Sequence, residues 1–358
     1  MIKRVGILTS GGDCPGLNAT IRAIAQSLRL DFNNNIEITG IFDGYSGLIH
    51  GKYEDMTSYD FSSILTLGGT ILGTKRTPFK MMRVIEDDKI DKVSQMKKNY
   101  FKMGLDCLFC LGGNGTHKTA NLLSSECLNI IALPKTIDND IWGTDISFGF
   151  HSALNTATDA IDRIYTTAKS HKRIMVVELM GNKAGWLTLY AGVAGGADAI
   201  LIPEKPFDLS NVIINLVNNF KNGKQFSIIA VAEGAYSVKE AKMKKKERAE
   251  IRAKIGEKTA TNIIAKEIEK ITGLETRAVI PGHIQRGGSP CPYDRILATR
   301  FGSYAAKLAK NGQFGVAVAM INNKVTHNKL SEVAGKSRLV SMDCKMIGVA
   351  QSMGICLG

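Results

Sequence analysis

This chain is short of several things, and each shortage narrows what it can be. No apolar run approaches the roughly 18 to 20 residues that a membrane helix needs, so no membrane partner is expected. The start, MIKRVGILTSGGD, turns glycine-rich too early for a signal peptide, and a cytoplasmic protein is expected. The seven cysteines are odd in number and follow no framework spacing, which fits reduced thiols. The one CxxC, Cys107 and Cys110, falls in the apolar run DCLFCLGG. On a strand those two positions point to opposite faces, so the pair can neither chelate nor act as a redox dithiol. Acidic residues are scarce beside basic ones, 33 against 46, and the formal charge of +13 calls for an anionic partner. Nucleic acid is not expected, because the densest basic block, KEAKMKKKERAEIRAK (Lys239 to Lys254), has no interleaved aromatics to stack bases. That block reads as a solvated helix, and phosphorylated metabolites suit the charge.

What is present is an α/β pattern. The 358 residues are 44% apolar, enough for two domains or one large α/β unit. Eight short apolar runs read as strands: RVGILTS, EITGIFDG, CLFCLGG, NIIALP, RIMVVELMG, FSIIAVAEG, RAVIPGH and GVAVAMI. They are rich in Val and Ile and apolar on both faces, as strands of a helix-covered parallel sheet are. Amphipathic stretches alternate with them. In HSALNTATDAIDRIYTTA, Leu154, Ala157, Ile161, Ile164 and Ala168 recur at helical spacing. TNIIAKEIEKITG closes on Gly273, a helix C-terminal cap. The alternation predicts doubly wound sheets with helices on both faces.

Ligands of such sheets bind where strands end, and three strands here end in glycine loops. LTSGGDCPGLNATIRAI runs from a strand through Gly11 and Gly12 into a helix opening near Asn18. LGGTILGTKR leads to the cations Lys75 and Arg76, and LGGNGTHKTANLL again runs strand, loop, helix. None has the spacing of a P-loop or a dinucleotide fingerprint. Backbone N–H groups at helix starts free of side-chain bulk attract phosphate, so three glycine loops at strand ends, two of them opening helices, point to a phosphate-rich ligand.

A fourth strand end carries LPKTIDND, with Asp138 and Asp140 two residues apart and Lys135 before them. An extended segment would place both carboxylates on one side. A pair that close separates in pKa or shares a cation, which favours one as base and one near a metal; the alternative is an Asx-type turn in which carboxylates cap backbone groups. Cations sit at other strand edges: Arg173, Arg277, and Arg286 with His283. Converging arginine forks would hold a phosphorylated substrate. Glu233 ends its strand beside a glycine, placed to accept sugar hydroxyls or to cap a turn.

Taken together, GILTSGGDCPGLNA, GGTILGT, LGGNGT, PKTIDND, GFHSALNTATDAIDR, SHKRIMVVELMG, AGGADAILIPE and PGHIQRGGSPCPYDRILATR resemble the 6-phosphofructokinase family from Val5 to about Gly302. The resemblance implies two doubly wound Rossmann-like domains. Residues 1–149 with about 286–335 would bind the phosphoryl donor, and 150–285 with about 336–358 the sugar phosphate. It also implies phosphoryl transfer from ATP to the 1-hydroxyl of fructose 6-phosphate with Mg²⁺, in a homotetramer whose subunits share arginines. By the same resemblance Asp138 would be the base, Thr136 would contact the transferring phosphoryl, and Asp140 would lie near the metal. Gly11, Arg76, Asn114, Gly115, Thr116 and Lys135 would hold the donor. Arg173, Arg277, His283 and Arg286 would bind the sugar phosphate, with Met180, Gly181, Asn182 and Glu233 around the sugar.

Two residues depart from the family's pattern. Asn114 stands where an acidic residue usually approaches Mg²⁺, and Asn182 where an arginine usually faces the phosphoryl group. These departures leave open a catalytically weak paralogue that binds nucleotide and sugar phosphate. Donor choice is mixed as well. Lys135 is of the pyrophosphate-dependent kind, whereas Gly115 is of the ATP kind, since an aspartate there would intrude on the α-phosphate. Space constrains more than one flexible cation does, so ATP is expected, with pyrophosphate the alternative.

Overall fold

The computed structural model describes residues 2–87 and 89–358. The chain forms two compact units, 1–152 with 286–338, and 153–285 with 339–358. Helix Phe150–His171 runs from the first into the second.

The first unit is built on a seven-stranded sheet in the order β11-β10-β5-β4-β1-β2-β3. These strands are β1 (Arg4–Ser10), β2 (Glu37–Ile41), β3 (Tyr53–Asp55), β4 (Cys107–Gly112), β5 (Ile130–Pro134), β10 (Val316–Ile321) and β11 (Lys324–Lys329). The central strands pair in parallel, while β3 and β11 close the two edges antiparallel. Register aligns three neighbouring ends: Ser10 pairs with Gly112, and Gly112 with Pro134. The strand order reverses between β1 and β4, which makes their C-terminal ends the switch-point crevice of this unit. β1, β4 and β5 are buried almost throughout, Cys107 and Cys110 included. Fully burying side chains such as Leu8, Leu108 and Ile130 stabilises the fold by about 1.5–3 kcal/mol each. Buried Asp294 accepts from the backbone N and Oγ of Ser152, both at 2.7 Å, and so caps the start of helix Phe150–His171.

The second unit has a four-stranded parallel sheet in the order β7-β8-β6-β9. Its strands are β6 (Ile174–Leu179), β7 (Ala199–Leu201), β8 (Ser227–Ala232) and β9 (Thr276–Val279). Val176, Ile229, Val231, Leu216, Ile264 and Ile268 belong to its core. Here the order reverses between β6 and β8, whose ends pair as Leu179 with Ala232. Helix Thr261–Thr272 stops at Gly273 with φ 68°, the left-handed cap its sequence suggested.

All eight apolar runs contain strands, and three further strands had no such signal. YED and KVTHNK are exposed or half-exposed edge strands and need no apolar run, and β7 is only three residues long. The basic block also differs from a single solvated helix. It forms two, Val238–Ala241 and Lys245–Lys254, and Arg252 within the second is buried. Arg252 donates to both carboxylate oxygens of Glu240, at 2.7 and 3.0 Å, and to the carbonyl of Ala235. Among the described residues, no helix is long and apolar enough to cross a membrane.

Candidate active site

In the first unit the three glycine loops are tied to one another. Thr74 Oγ1 donates to the Gly11 carbonyl at 2.7 Å, and Thr9 Oγ1 to the Gly73 carbonyl at 2.7 Å. Thr116 Oγ1 donates to the Ser10 carbonyl, and Tyr45 Oη to the Thr116 carbonyl. Gly11 has φ 88°, a left-handed turn that favours glycine. Lys135 follows β5; its backbone N–H donates to the Gly112 carbonyl and its Nζ to the Gly12 carbonyl. The ammonium is buried, and burial holds its pKa below the usual lysine range. Lys135 thus pins the first glycine loop to the end of β5. Arg286 lies against the same loop, its Nη1 donating to the Asp13 carbonyl at 3.2 Å. A Cβ placed on Gly12 would come within 2.5 Å of that nitrogen. The neighbouring Cys14 thiol is buried and pushed up to about 12, which rules it out as a nucleophile. Arg76 is exposed on the second loop.

The TIDND segment is bent. Asn139 has φ 51°, so Asp138 and Asp140 do not share a side in the way an extended strand would arrange them. Asn139 braces the bend across the loop. Its Oδ1 accepts from Ser147 N at 3.0 Å, and its Nδ2 donates to the Asp145 carbonyl. Thr136 Oγ1 accepts from Asp138 N at 3.1 Å, and the Thr136 carbonyl accepts from Ser147 Oγ at 2.9 Å. The backbone N of Arg338 donates to the Asp140 carbonyl at 2.8 Å. Asp138 and Asp140 are both partly buried, and burial raises the Asp140 carboxyl above the ordinary range. A cation would relieve that penalty.

Asn114 opens helix Asn114–Ser125, and its Nδ2 donates to the Lys336 carbonyl and to Ser337 Oγ, both at 2.7 Å. A carboxylate there would face the Lys336 carbonyl with no hydrogen to give, which explains the departure from an acidic residue. Gly115 follows, exposed; a Cβ built on it meets no heavy atom within 4 Å. Among the described residues no group of three or more His, Cys, Asp or Glu forms a metal cage. The Asp140 carboxylate and the Asn114 carbonyl are hard oxygen donors of the kind Mg²⁺ takes when substrate phosphates complete its shell.

In the second unit the residues after β6 and β8 face one another. Asn182 N donates to Glu233 Oε1 at 2.7 Å, so Glu233 caps the turn that carries Gly181, whose φ is 138°. Met180 N donates to Gln285 Oε1 at 3.1 Å, and Gln285 Nε2 donates to the Gly282 carbonyl. Gln285 is buried and ties the end of β6 to the turn bearing His283. The sequence reading passed over it because an amide in GHIQRGG carries no charge. Met180, Glu233, His283 and Gln285 line a cleft of about 480 Å³.

The expected convergence of arginines does not occur within one chain. Arg173 precedes β6 and Arg277 sits on β9 opposite Met175. Met180 lies just past the other end of β6, seven residues or about 23 Å from Arg173 at strand rise. Both arginines gather on Glu275, each at 2.6 Å, and Arg277 also reaches Glu269 at 3.3 Å. Arg286 belongs to the first unit, against the glycine loop.

Residues 4–309 match the family model described as phosphofructokinase. The chain is 52% identical to an ATP-dependent 6-phosphofructokinase of Spirochaeta thermophila, over 99% of this chain and 98% of that one. It is 48% identical to ATP-dependent 6-phosphofructokinase 3 of Bacteroides thetaiotaomicron, over 99% and 100%. In structure it resembles the phosphofructokinase of Saccharomyces cerevisiae (TM-score 0.78, 30% identity), matching 98% of this chain and spanning under half, 46%, of the yeast chain. The pyrophosphate-dependent phosphofructokinase of Marinobacter aquaeolei shares the fold at TM-score 0.81 and 18% identity, covering 100% of this chain and 89% of that one. With this match across the sheet of the first unit and the turns of the second, the chain belongs to the phosphofructokinase family.

Proposed function

We propose that this protein transfers the terminal phosphoryl group of ATP to the 1-hydroxyl of fructose 6-phosphate, a step of glycolysis carried out in the cytoplasm. The observation that carries this reading is the alignment of Ser10, Gly112 and Pro134. It sets two glycine loops and the Asp138 segment at neighbouring strand ends. Phosphoryl transfer is mostly positioning and charge neutralisation. Backbone amides of the Gly11 and Asn114–Gly115–Thr116 turns hold the donor phosphates, with Arg76 beside them. Lys135 keeps the first loop in place and adds positive charge beneath it. Asp138 takes the proton of the sugar hydroxyl, and Thr136 orients Asp138 through its backbone N–H. Mg²⁺, held by Asp140, the Asn114 carbonyl and the donor phosphates, would neutralise charge on the transferring group. Met180, Gly181, Asn182, Glu233 and His283 surround the sugar, and Arg286 reaches its phosphoryl groups.

Arg173 and Arg277 lie too far from Met180 to serve their own chain's cleft, so a second copy supplies them, and a homotetramer is the proposed active form. Open space at Gly115 favours ATP over pyrophosphate. A coupled assay with each donor tests this. Turnover with ATP is expected and turnover with pyrophosphate alone refutes it. Sugar-phosphate binding without turnover would favour the non-catalytic reading. Gly115→Asp should damage ATP use far more than pyrophosphate use. Position 115 has neither positive φ nor a crowding neighbour, so the fold should tolerate the change; equal damage with both donors would refute the steric account.

A further inference from the structure

The segment Gly335–Arg338 lies past residue 309, where the match to the family model ends, yet it touches two parts of the reaction site. A short helix, Leu330–Val333, anchors it: Leu330 and Val333 are buried in the core of the first unit with Leu122 and Leu123. The chain then turns at Gly335, φ 91°, where a Cβ would come 3.3 Å from Lys118 Cε. Beyond the turn, the Lys336 carbonyl and Ser337 Oγ accept from Asn114 Nδ2, both at 2.7 Å, and Ser337 pairs with Ile141 in an antiparallel bridge. Arg338 follows. Its backbone N donates to the Asp140 carbonyl at 2.8 Å, and its Nη1 to the Asn139 carbonyl at 3.3 Å. The segment thus straps the donor turn at Asn114 to the bend that carries Asp138 and Asp140.

The bend turns on Asn139, whose φ of 51° asparagine tolerates but does not require. From within, the Asn139 side chain braces it through Ser147 and Asp145. From outside, one residue, Arg338, holds the carbonyls of both Asn139 and Asp140. Released from it, the bend would be free to relax toward the extended form, in which Asp138 and Asp140 fall on one side. An arginine suits the task, because its planar fork stays charged and fixes a bonded carbonyl in direction as well as distance. Displacing a reacting group by about 1 Å can cost about 10²-fold in rate. We propose that Arg338 is a positioning residue of the phosphoryl-transfer step, which holds the Asn139 bend so that Asp138 keeps its aim on the sugar hydroxyl. The inference rests on the proposed function, since it acts through the base that reading names.

Arg338→Ala in the full chain tests it. Arg338 is half-buried, so its removal opens no core cavity. With ATP, kcat should fall about 10²-fold while KM for fructose 6-phosphate stays unchanged. Arg338→Lys, which keeps the charge and a donor, should regain most of the loss. In the Asp138→Ser background, Arg338→Ala should cost little more, because a positioning residue has no effect once the group it positions is gone. Hydrogen exchange in the unliganded chain gives a readout apart from activity. Arg338→Ala should speed exchange across residues 136–147 and leave β1 and β4 protected. Unchanged exchange, a full further loss in the Asp138→Ser background, or general loss of protection overturns the proposal. A parent chain inactive with both donors removes the proposed function and this inference together. An active parent whose Arg338→Ala variant keeps its kcat removes the inference alone.

Discussion

At the scale of single residues, chemistry and fold separate cleanly around Asp138. The turn that carries it is held by Asn139, Ser147 and Thr136, not by its own carboxylate alone. Asp138→Ser should therefore lower turnover by about 10³-fold, within the range general-base catalysis supplies, and leave the binding of fructose 6-phosphate nearly intact. Single-turnover kinetics with a separate binding titration checks this, and unchanged turnover would remove Asp138 as base. Asp140 makes a different prediction. Burial raises its carboxyl, so the native state holds a proton that the unfolded chain releases once pH exceeds the ordinary carboxylate value. Stability then falls as pH rises through the raised value, and at neutral pH the buried charge is a cost. Without Mg²⁺, Asp140→Asn should melt at a higher temperature than the parent at pH 7.5. With Mg²⁺ and ATP it should gain less on ligand binding than the parent does. A lower melting temperature without metal would show that the carboxylate is compensated by the protein itself.

At the scale of elements, strand ends and helix starts do most of the positioning. His117, in the first turn of helix Asn114–Ser125, donates from Nδ1 to the Gly113 carbonyl at 3.0 Å and so braces the third glycine loop. Burial pushes its pKa from 6.5 down to about 4. The unfolded chain binds a proton there before the folded one does. The contribution is full above pH 6.5 and is lost as pH falls toward 4, by up to about 3 kcal/mol. His117→Asn should flatten the stability curve between those values in urea melts, and parallel curves would contradict the assignment. These elements were mostly legible beforehand, because buried parallel strands announce themselves as continuous Val and Ile runs. The edge strands Tyr53–Asp55 and Lys324–Lys329 were not, since an exposed edge needs no apolar signature. The bend at Asn139 was hidden for a related reason: asparagine tolerates a left-handed φ without requiring it. Nor could charge alone tell Arg252, buried on Glu240, from its solvated neighbours.

At the scale of the whole molecule, the clamps are the informative part. The sequence suggested arginines converging on one phosphate, with some shared between subunits, and within one chain Arg173 and Arg277 sit at the opposite end of β6 from Met180. Linear position says nothing about which end of a strand faces a ligand until the register is known. If a second copy supplies these arginines, Asp138→Ser and Arg277→Ala should each be nearly inactive alone. Their mixture, after subunit exchange, should regain activity well above the sum of the parents. No recovery in the exchanged mixture would place the clamp within one chain and remove the shared-site assembly.

The open space beside Gly115 bears on how this enzyme could change over generations. A glycine codon ending in a pyrimidine becomes an aspartate codon by one change at the second base, so from such a codon Gly115→Asp is a single nucleotide substitution. The backbone there does not oppose that step, since a Cβ at position 115 meets no heavy atom within 4 Å. A lineage could cross between donors and return without passing through an unfolded intermediate. The cell's supply of ATP or pyrophosphate, more than the architecture, would then set which form persists.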